Sequence, residues 1–148
     1  MNMLTPDKIL HILNIDLPYS LGIMNAHTSN TRKPWHRYKH LLNAMFVGSL
    51  IKGRLFIELL GLKLDNKSIA QKKLGGSDIN IENLGGTRVL LEDLSSEQKE
   101  ILCKFLISTN KHEAHLTHQE YGSLDHIKPG FELINTLLKK HLPSIKCD

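Results

Sequence analysis

The stretch that decides the fold is residues 41–61, which read LLNAMFVGSLIKGRLFIELLG. With Leu62 added, this stretch is long and apolar enough to be compared with a membrane-spanning helix, which needs about 20 apolar residues in a row. Three charged side chains interrupt it, at Lys52, Arg54 and Glu58, and each of them would be costly in hydrocarbon. The stretch therefore predicts a buried helix that is packed by other elements and does not enter a membrane.

The ends of this helix can be predicted from the residues that flank it. Pro34 suits the first helical turn, because the N–H that proline lacks has no partner there. Gly61 suits the residue that follows the last turn, so the helix is predicted from Pro34 to about Leu60. Gly48 and Gly53 lower the intrinsic helix propensity, and each therefore indicates close approach by a neighbouring helix.

Capping patterns predict three further helices. Thr5 followed by Pro6 predicts the start of the first helix. Ser95 and Gln98 have the spacing of a capping box and predict the start of the third. The last helix is predicted over about residues 129–142, between two prolines.

Residues 62–95 form a long connection between the second and third of these helices. The connection is polar and contains two glycine pairs, which is typical of turns. Short extended pieces are expected at 79–81 and 88–91, but no sheet.

The predicted fold class is all-α, with residues 1–148 forming a single domain. Its architecture is an antiparallel helical bundle with a long, turn-rich crossover between the second and third main helices.

The composition and net charge of the chain are compatible with an anionic partner but do not identify one. The chain has 148 residues with 19 basic and 15 acidic side chains, and its net charge of +4 permits an anionic partner. The densest basic run, residues 32–40, also contains Trp35 and Tyr38, so base stacking is an alternative there to an ordinary solvated helical turn.

Two cysteines are too few for a disulfide framework, and we see no signal-peptide pattern. We therefore expect a reducing, cytoplasmic setting.

A second stretch, TNKHEAHLTHQE at residues 109–120, contains three closely spaced histidines, His112, His115 and His118. Zinc hydrolases of the HExxH type need two histidines four residues apart on one helical face, with the glutamate as base. Here the residues read His112, Glu113, Ala114, His115, so the two histidines are three residues apart and the pattern is not HExxH. We expect solvated or hydrogen-bonded histidines, with a metal site as the alternative. No cofactor is predicted, and the sequence contains no phosphate-binding glycine loop. It contains no GxSxG nucleophile elbow either, so a serine hydrolase is not supported.

Arg54 and Glu58 are four residues apart in the middle of the apolar helix. Neither charge can be left without a partner if that helix is buried. The two side chains can pair with each other, or Arg54 can reach across to a second helix, where Glu113 is a candidate partner. A structural ion pair and an anion-binding arginine that faces a cleft are equally good interpretations of this spacing.

Two segments together resemble a known family. The helix at residues 41–61, followed much later by NKHEAHLT at residues 110–117, is similar to helical proteins of the HEPN type (higher eukaryotes and prokaryotes nucleotide-binding). In that family a late helix carries an arginine and, a few positions later, a histidine, in a pattern such as RNKxAH. The sequence TNKHEAH overlays this pattern at Asn110, Lys111, Ala114 and His115.

The resemblance implies a dimeric helical bundle. In active members it implies a metal-independent ribonuclease, with arginine and histidine lining a cleft at the dimer interface. His115 matches the family histidine, but Thr109 or Asn110 stands where the family has its arginine. Cleavage of a phosphodiester needs a guanidinium to hold the phosphate and a histidine to move the proton. The departure therefore indicates a non-catalytic relative, unless Arg54 or Lys111 supplies the missing charge.

The leading hypothesis is a cytoplasmic, homodimeric, non-catalytic HEPN-like module that binds RNA, a nucleotide or a protein partner. The first alternative is a metal-independent ribonuclease with His115 as acid and base and Arg54 or Lys111 as phosphate clamp. The second alternative is a metal-binding protein built on the histidine cluster. The residues predicted to contribute binding contacts are Asn110, His112, Glu58 and Glu113.

Overall fold

The computed structural model describes residues 5–16, 39–73, 79–114 and 124–143, with the side chains of 5–14, 46–73, 79–110 and 125–143. These residues form α-helices, a two-stranded β-hairpin and short helical turns. In chain order the elements are α1 (Pro6–His11), which continues as a π-helical turn (Ile12–Asp16), α2 (Lys39–Leu59), β1 (Leu62–Asp65), β2 (Ser68–Gln71), two 3-10 turns (Ile81–Leu84 and Leu91–Asp93), α3 (Ser96–Ala114), a third 3-10 turn (Leu124–His126) and α4 (Ile127–His141).

The starts of α1 and α3 follow from their capping residues. In α1, the Lys8 N–H donates to Thr5 Oγ1 at 3.4 Å, and Pro6 is the first helical residue. In α3, the Gln98 N–H donates to Ser95 Oγ at 3.1 Å, and the Ser95 N–H donates to Gln98 Oε1 at 3.0 Å. Both predicted starts are confirmed, because these side chains bond backbone groups that have no partner inside the helix.

The end of α2 is also confirmed. The helix gives way to a turn at Leu60 and Gly61, where the Gly61 N–H donates to the Glu58 carbonyl at 3.0 Å. The φ angle of Gly61 is +88°, a value that residues with a side chain rarely adopt. Of the predicted start, Pro34 lies outside the described residues, and the described part of α2 begins at Lys39.

The three long helices meet at Phe105, a fully buried residue of α3. A Cβ atom added at Gly53 of α2 would lie 2.5 Å from Phe105 Cζ, and one added at Gly130 of α4 would also collide with this ring. Phe131 of α4 packs edge-on against it, with the ring centroids 5.2 Å apart. The prediction that a neighbouring helix approaches closely at Gly53 is therefore confirmed.

The prediction that the crossover contains no sheet is wrong. β1 pairs antiparallel with β2 through a two-residue turn, Asn66–Lys67, in which both residues have positive φ angles. Neither of the predicted extended pieces, at 79–81 and 88–91, belongs to a strand. The hairpin was missed because β1 has only one short polar–apolar alternation and its turn lacks the Asn-Gly pair that is typical of such turns.

The rest of the crossover lies against the ends of α2 and α4. The Val89 N–H donates to the Leu60 carbonyl at 3.1 Å, and the Thr87 N–H donates to the His141 carbonyl at 2.9 Å. α4 begins at Ile127, two residues before the predicted start, and ends at His141. The described chain is thus mostly helical, as predicted, with a small sheet added.

α2 is buried on one side and faces solvent on the other. Phe46, Leu50 and Ile57 belong to the core, whereas Ile51 is 40% exposed and Leu55 is 50% exposed. The expectation of a buried helix packed by other elements is therefore correct for only part of its described surface. In the part of the chain that the structure describes, no helix is both long and apolar enough to cross a membrane.

Candidate functional site

Four polar side chains from three separate segments of the chain meet on one surface of the molecule. Arg54 and Glu58 come from α2, Lys72 directly follows β2, and Asn110 lies in α3. We call these four residues the Arg54 cluster. Arg54, Glu58 and Asn110 were predicted to belong to a site, whereas Lys72 was not.

Arg54 lies at the centre of this cluster. It makes the predicted contact with Glu58, and it also reaches across to a second helix, where the described partner is Asn110. Its Nε donates to Glu58 Oε1 at 3.2 Å, one helical turn further along α2. Its Nη1 donates to Asn110 Oδ1 at 3.3 Å, across the interface with α3. The side chain is 41% exposed, so the guanidinium is both oriented by the protein and accessible to solvent.

Asn110 and Thr109 were the two candidates for the position of the family arginine, and the structure separates them. Thr109 is fully buried, and its hydroxyl donates to the Phe105 carbonyl of its own helix at 2.9 Å. Asn110 is exposed and contacts the guanidinium of Arg54. A positive charge from α2 therefore reaches the α3 position at which the sequence has an uncharged side chain.

Lys72 is the member of the cluster that sequence reasoning missed. Its Nζ lies 3.1 Å from Glu58 Oε2, and its side chain is 27% exposed. The backbone around it is fixed, since the Lys72 N–H donates to the Gly61 carbonyl at 2.8 Å and Arg88 Nη2 donates to the Lys72 carbonyl at 2.6 Å. No sequence signal could have found Lys72, because the unpredicted hairpin is what places it beside α2.

The cluster combines two cations with one carboxylate. Glu58 lies between the cations, with one oxygen toward Arg54 and the other toward Lys72, and its side chain is 31% exposed. Arginine presents a planar set of N–H donors that fits phosphate, and lysine adds a compact charge. Guanidinium and ammonium groups on an accessible surface can bind an anion.

Several predicted residues cannot be placed relative to the cluster. Lys111, His112 and Glu113 belong to the last turn of α3, but their side chains are outside the described set. His115 and His118 lie outside the described residues altogether, as does the basic run up to Tyr38. The catalytic role of His115 and the pairing of Arg54 with Glu113 stay predictions. Among the described side chains, no group of three or more His, Cys, Asp or Glu residues is placed to hold a metal ion.

A second polar surface lies where α3 begins and α4 starts. It is an open pocket of about 230 Å³ lined by Glu97, Glu100, Ile101, Lys104, His126 and Pro129. The hydrogen bond and positive charge of Lys104, whose Nζ lies 2.5 Å from Glu100 Oε1, lower the pKa of the Glu100 carboxyl. That carboxylate is already paired with a neighbour one turn away, which is an ordinary surface ion pair. The Arg54 cluster is the better candidate site, because it joins three parts of the chain and contains both a guanidinium and an ammonium group.

Comparison with known proteins adds no relative. No protein-family model matches the chain, and neither a curated protein nor a solved structure matches it. The function must therefore be argued from the chemistry of the site itself.

Proposed function

We propose that this chain is a non-catalytic HEPN-like module that binds RNA, with the Arg54 cluster as a contact for the phosphate backbone. The observation that carries the proposal is the hydrogen bond from Arg54 Nη1 to Asn110 Oδ1. It brings a guanidinium to the α3 position where the resemblance implies an arginine. An arginine that comes from another helix supplies the same charge and the same donors.

The chemistry of the cluster favours binding through phosphate. Charge-assisted hydrogen bonds from a guanidinium to a phosphate are among the strongest polar contacts in proteins. Lys72 lies on the other side of Glu58 and adds a second positive charge within the same cluster. Contacts to phosphate provide much of the affinity of a protein for nucleic acid and do not depend on base sequence. We therefore expect RNA binding that weakens steeply with salt.

Binding without cleavage is favoured by the roles of the side chains in the cluster. Cleavage needs a group that accepts and returns a proton. Among the described side chains, the carboxylate that belongs to the cluster is that of Glu58. It bonds to both cations and is therefore poorly suited to take a proton from RNA. The ribonuclease alternative depends on His115, and cleavage of the bound RNA is its distinguishing result.

A homodimer in a cytoplasmic setting is part of the same proposal. Ile51 and Leu55 are exposed and lie one turn apart on α2, beside Arg54 in the sequence. Apolar side chains grouped in this way are a common feature of interfaces between protein chains. A second copy of the chain that covers them would place two Arg54 clusters in one assembly. The cytoplasmic setting is supported by the low cysteine content.

The test compares two substitutions that each remove one positive charge. Binding of a fluorescein-labelled single-stranded RNA is measured by anisotropy for the unchanged protein, Arg54→Gln and Lys128→Gln. Lys128 is the matched control, since it is an exposed residue of α4 that is paired with Glu132 one turn away. We expect Arg54→Gln to weaken binding about 10-fold, and Lys128→Gln less than about twofold, because only Arg54 is expected to hydrogen-bond phosphate.

Equal losses of RNA affinity in the two variants would contradict the proposal, since they would show that Arg54 contributes only its net charge and no specific contact. The same samples are checked for RNA integrity on a denaturing gel. Intact RNA is expected. Cleavage by the unchanged protein that disappears in His115→Ala would contradict the non-catalytic binding module and support the ribonuclease alternative.

A further inference from the structure

The position of Glu58 in the Arg54 cluster resembles that of a bound ligand. Its Oε1 accepts from Arg54 Nε at 3.2 Å, and its Oε2 accepts from Lys72 Nζ at 3.1 Å. One carboxylate thus offers a separate oxygen to each of two cations. Phosphate oxygens bind guanidinium and ammonium groups through the same donors.

The carboxylate is held in a way that allows its displacement. All three charged side chains of the cluster are between one quarter and one half exposed, so water screens their attraction. Arg54 precedes Glu58 by four residues, and this order gives a weaker helical ion pair than glutamate before lysine or arginine. Rotation of the Glu58 side chain moves its carboxylate away from Arg54 Nε without any movement of the backbone.

The carboxylate is also a strong competitor, because it is attached to the same helix as Arg54. A group tethered over a short distance acts at an effective concentration of the order of millimolar. A free mononucleotide, with a single phosphate group to offer, competes poorly against such a group. A strand with many phosphates, anchored elsewhere on the protein, presents its own phosphate at a similarly high local concentration.

We propose that Glu58 is an internal competitor of phosphate, which RNA displaces from Arg54 and which keeps the site closed to mononucleotides. This inference rests on the proposed function and specifies it in two ways. It selects a polyanionic strand over a free nucleotide as the ligand. It also makes Glu58 a residue that limits affinity, although it lies within the binding cluster.

The experiment neutralises Glu58 and compares it with a matched glutamate. Glu58→Gln and Glu132→Gln each remove one negative charge from an exposed i,i+4 ion pair. Dissociation constants for single-stranded RNA and for adenosine monophosphate are measured at constant ionic strength. We expect Glu58→Gln to tighten RNA binding about 10-fold and to make nucleotide binding measurable, whereas Glu132→Gln changes the RNA constant less than about twofold.

The double variant Arg54→Gln, Glu58→Gln shows whether the gain acts through the guanidinium. It should lose the tighter binding. If Glu58→Gln binds RNA no more tightly than Glu132→Gln, the inference is wrong, and a loss of binding in Arg54→Gln would still support the proposed function. If Arg54→Gln binds as well as the unchanged protein, the proposed function itself fails.

A second variant keeps the inference testable if Glu58→Gln disturbs the cluster. Glu58→Asp keeps the charge, but its shorter side chain cannot reach both cations together. We expect its RNA affinity to lie between those of the unchanged protein and Glu58→Gln. An affinity below that of the unchanged protein would contradict the inference, since it would make the bridging carboxylate a positive contributor to binding. Circular dichroism and thermal unfolding of every variant check that the fold is kept.

Discussion

Single residues decide how closely the three long helices approach one another. Phe105 of α3 points between Gly53 of α2 and Gly130 of α4, and neither position has room for a methyl group. A glycine inside a helix lowers helix stability by about 1 kcal/mol relative to alanine. The close contact of the Phe105 ring with two helix backbones offsets this, because buried aromatic rings contribute strongly to core packing.

Gly53→Ala is expected to destabilise the protein, although alanine is the better helix former. The added Cβ would lie 2.5 Å from Phe105 Cζ, and such overpacking typically costs about 1–3 kcal/mol. The free energy of unfolding, obtained from urea denaturation, measures the effect. In a protein that already carries Phe105→Leu, Gly53→Ala should lower the free energy of unfolding by less than it does in the unchanged protein, because leucine is shorter than the phenylalanine ring. An increase in stability for Gly53→Ala alone would mean that the helices can separate freely at this point.

At the scale of elements, the hairpin links the site to the core. Its turn is attached to α3, where Cys103 Sγ lies 2.9 Å from the Lys67 carbonyl. Burial raises the pKa of the Cys103 thiol, which therefore stays neutral and can donate this hydrogen bond. At the other end of the hairpin, Gln71 Nε2 donates to the Gly61 and Val89 carbonyls at 2.8 and 3.1 Å. These contacts hold the strand end from which Lys72 enters the cluster.

Lys67→Gly is expected to stabilise the protein. Lys67 has a φ angle of +64° in the hairpin turn, and glycine adopts positive φ without steric strain, so a gain of about 0.5–1 kcal/mol in unfolding free energy is expected. Thermal unfolding monitored by circular dichroism measures it. Lys63→Gly, at an exposed position of β1, is the control and should lower stability, because glycine is unfavourable inside a strand. Destabilisation by both changes would show that the turn does not have the conformation described.

At the scale of the whole molecule, the candidate site and the exposed apolar surface share α2. Ile51 and Leu55 precede and follow Arg54 on this helix, and their side chains are at least two-fifths exposed. If the proposed homodimer forms there, the two copies of the Arg54 cluster would lie near one interface. Both would then contribute charge to one binding surface for an RNA strand.

The double substitution Ile51→Glu, Leu55→Glu is expected to convert the proposed homodimer into a monomer. Two carboxylates on each copy would bring like charges together across an apolar contact. Size-exclusion chromatography with light scattering measures the mass directly. The matched control is Leu90→Glu, which places the same charge on an exposed apolar side chain of the crossover. Loss of the dimer in the control as well, or a monomeric unchanged protein, would contradict this part of the proposal.

Local sequence patterns determined the ends of elements and the position of close helix contacts. The capping residues Thr5 and Ser95, the stop at Gly61 and the close contact at Gly53 were all predictable, because each depends on interactions within a few residues or on the size of one side chain. The pairing of Arg54 with Glu58 follows from helical spacing in the same way.

Only the tertiary structure decided which residues meet in the candidate site. Lys72 and Asn110 are 38 positions apart in the sequence and reach the Arg54 cluster from a hairpin and a different helix. Their meeting depends on the crossing of α2 with α3 and on the direction of the hairpin, which are set by packing around Phe105 and by backbone hydrogen bonds across the crossover. Interactions between distant segments leave no periodic pattern in the sequence, because the chain between them does not take part in the contact.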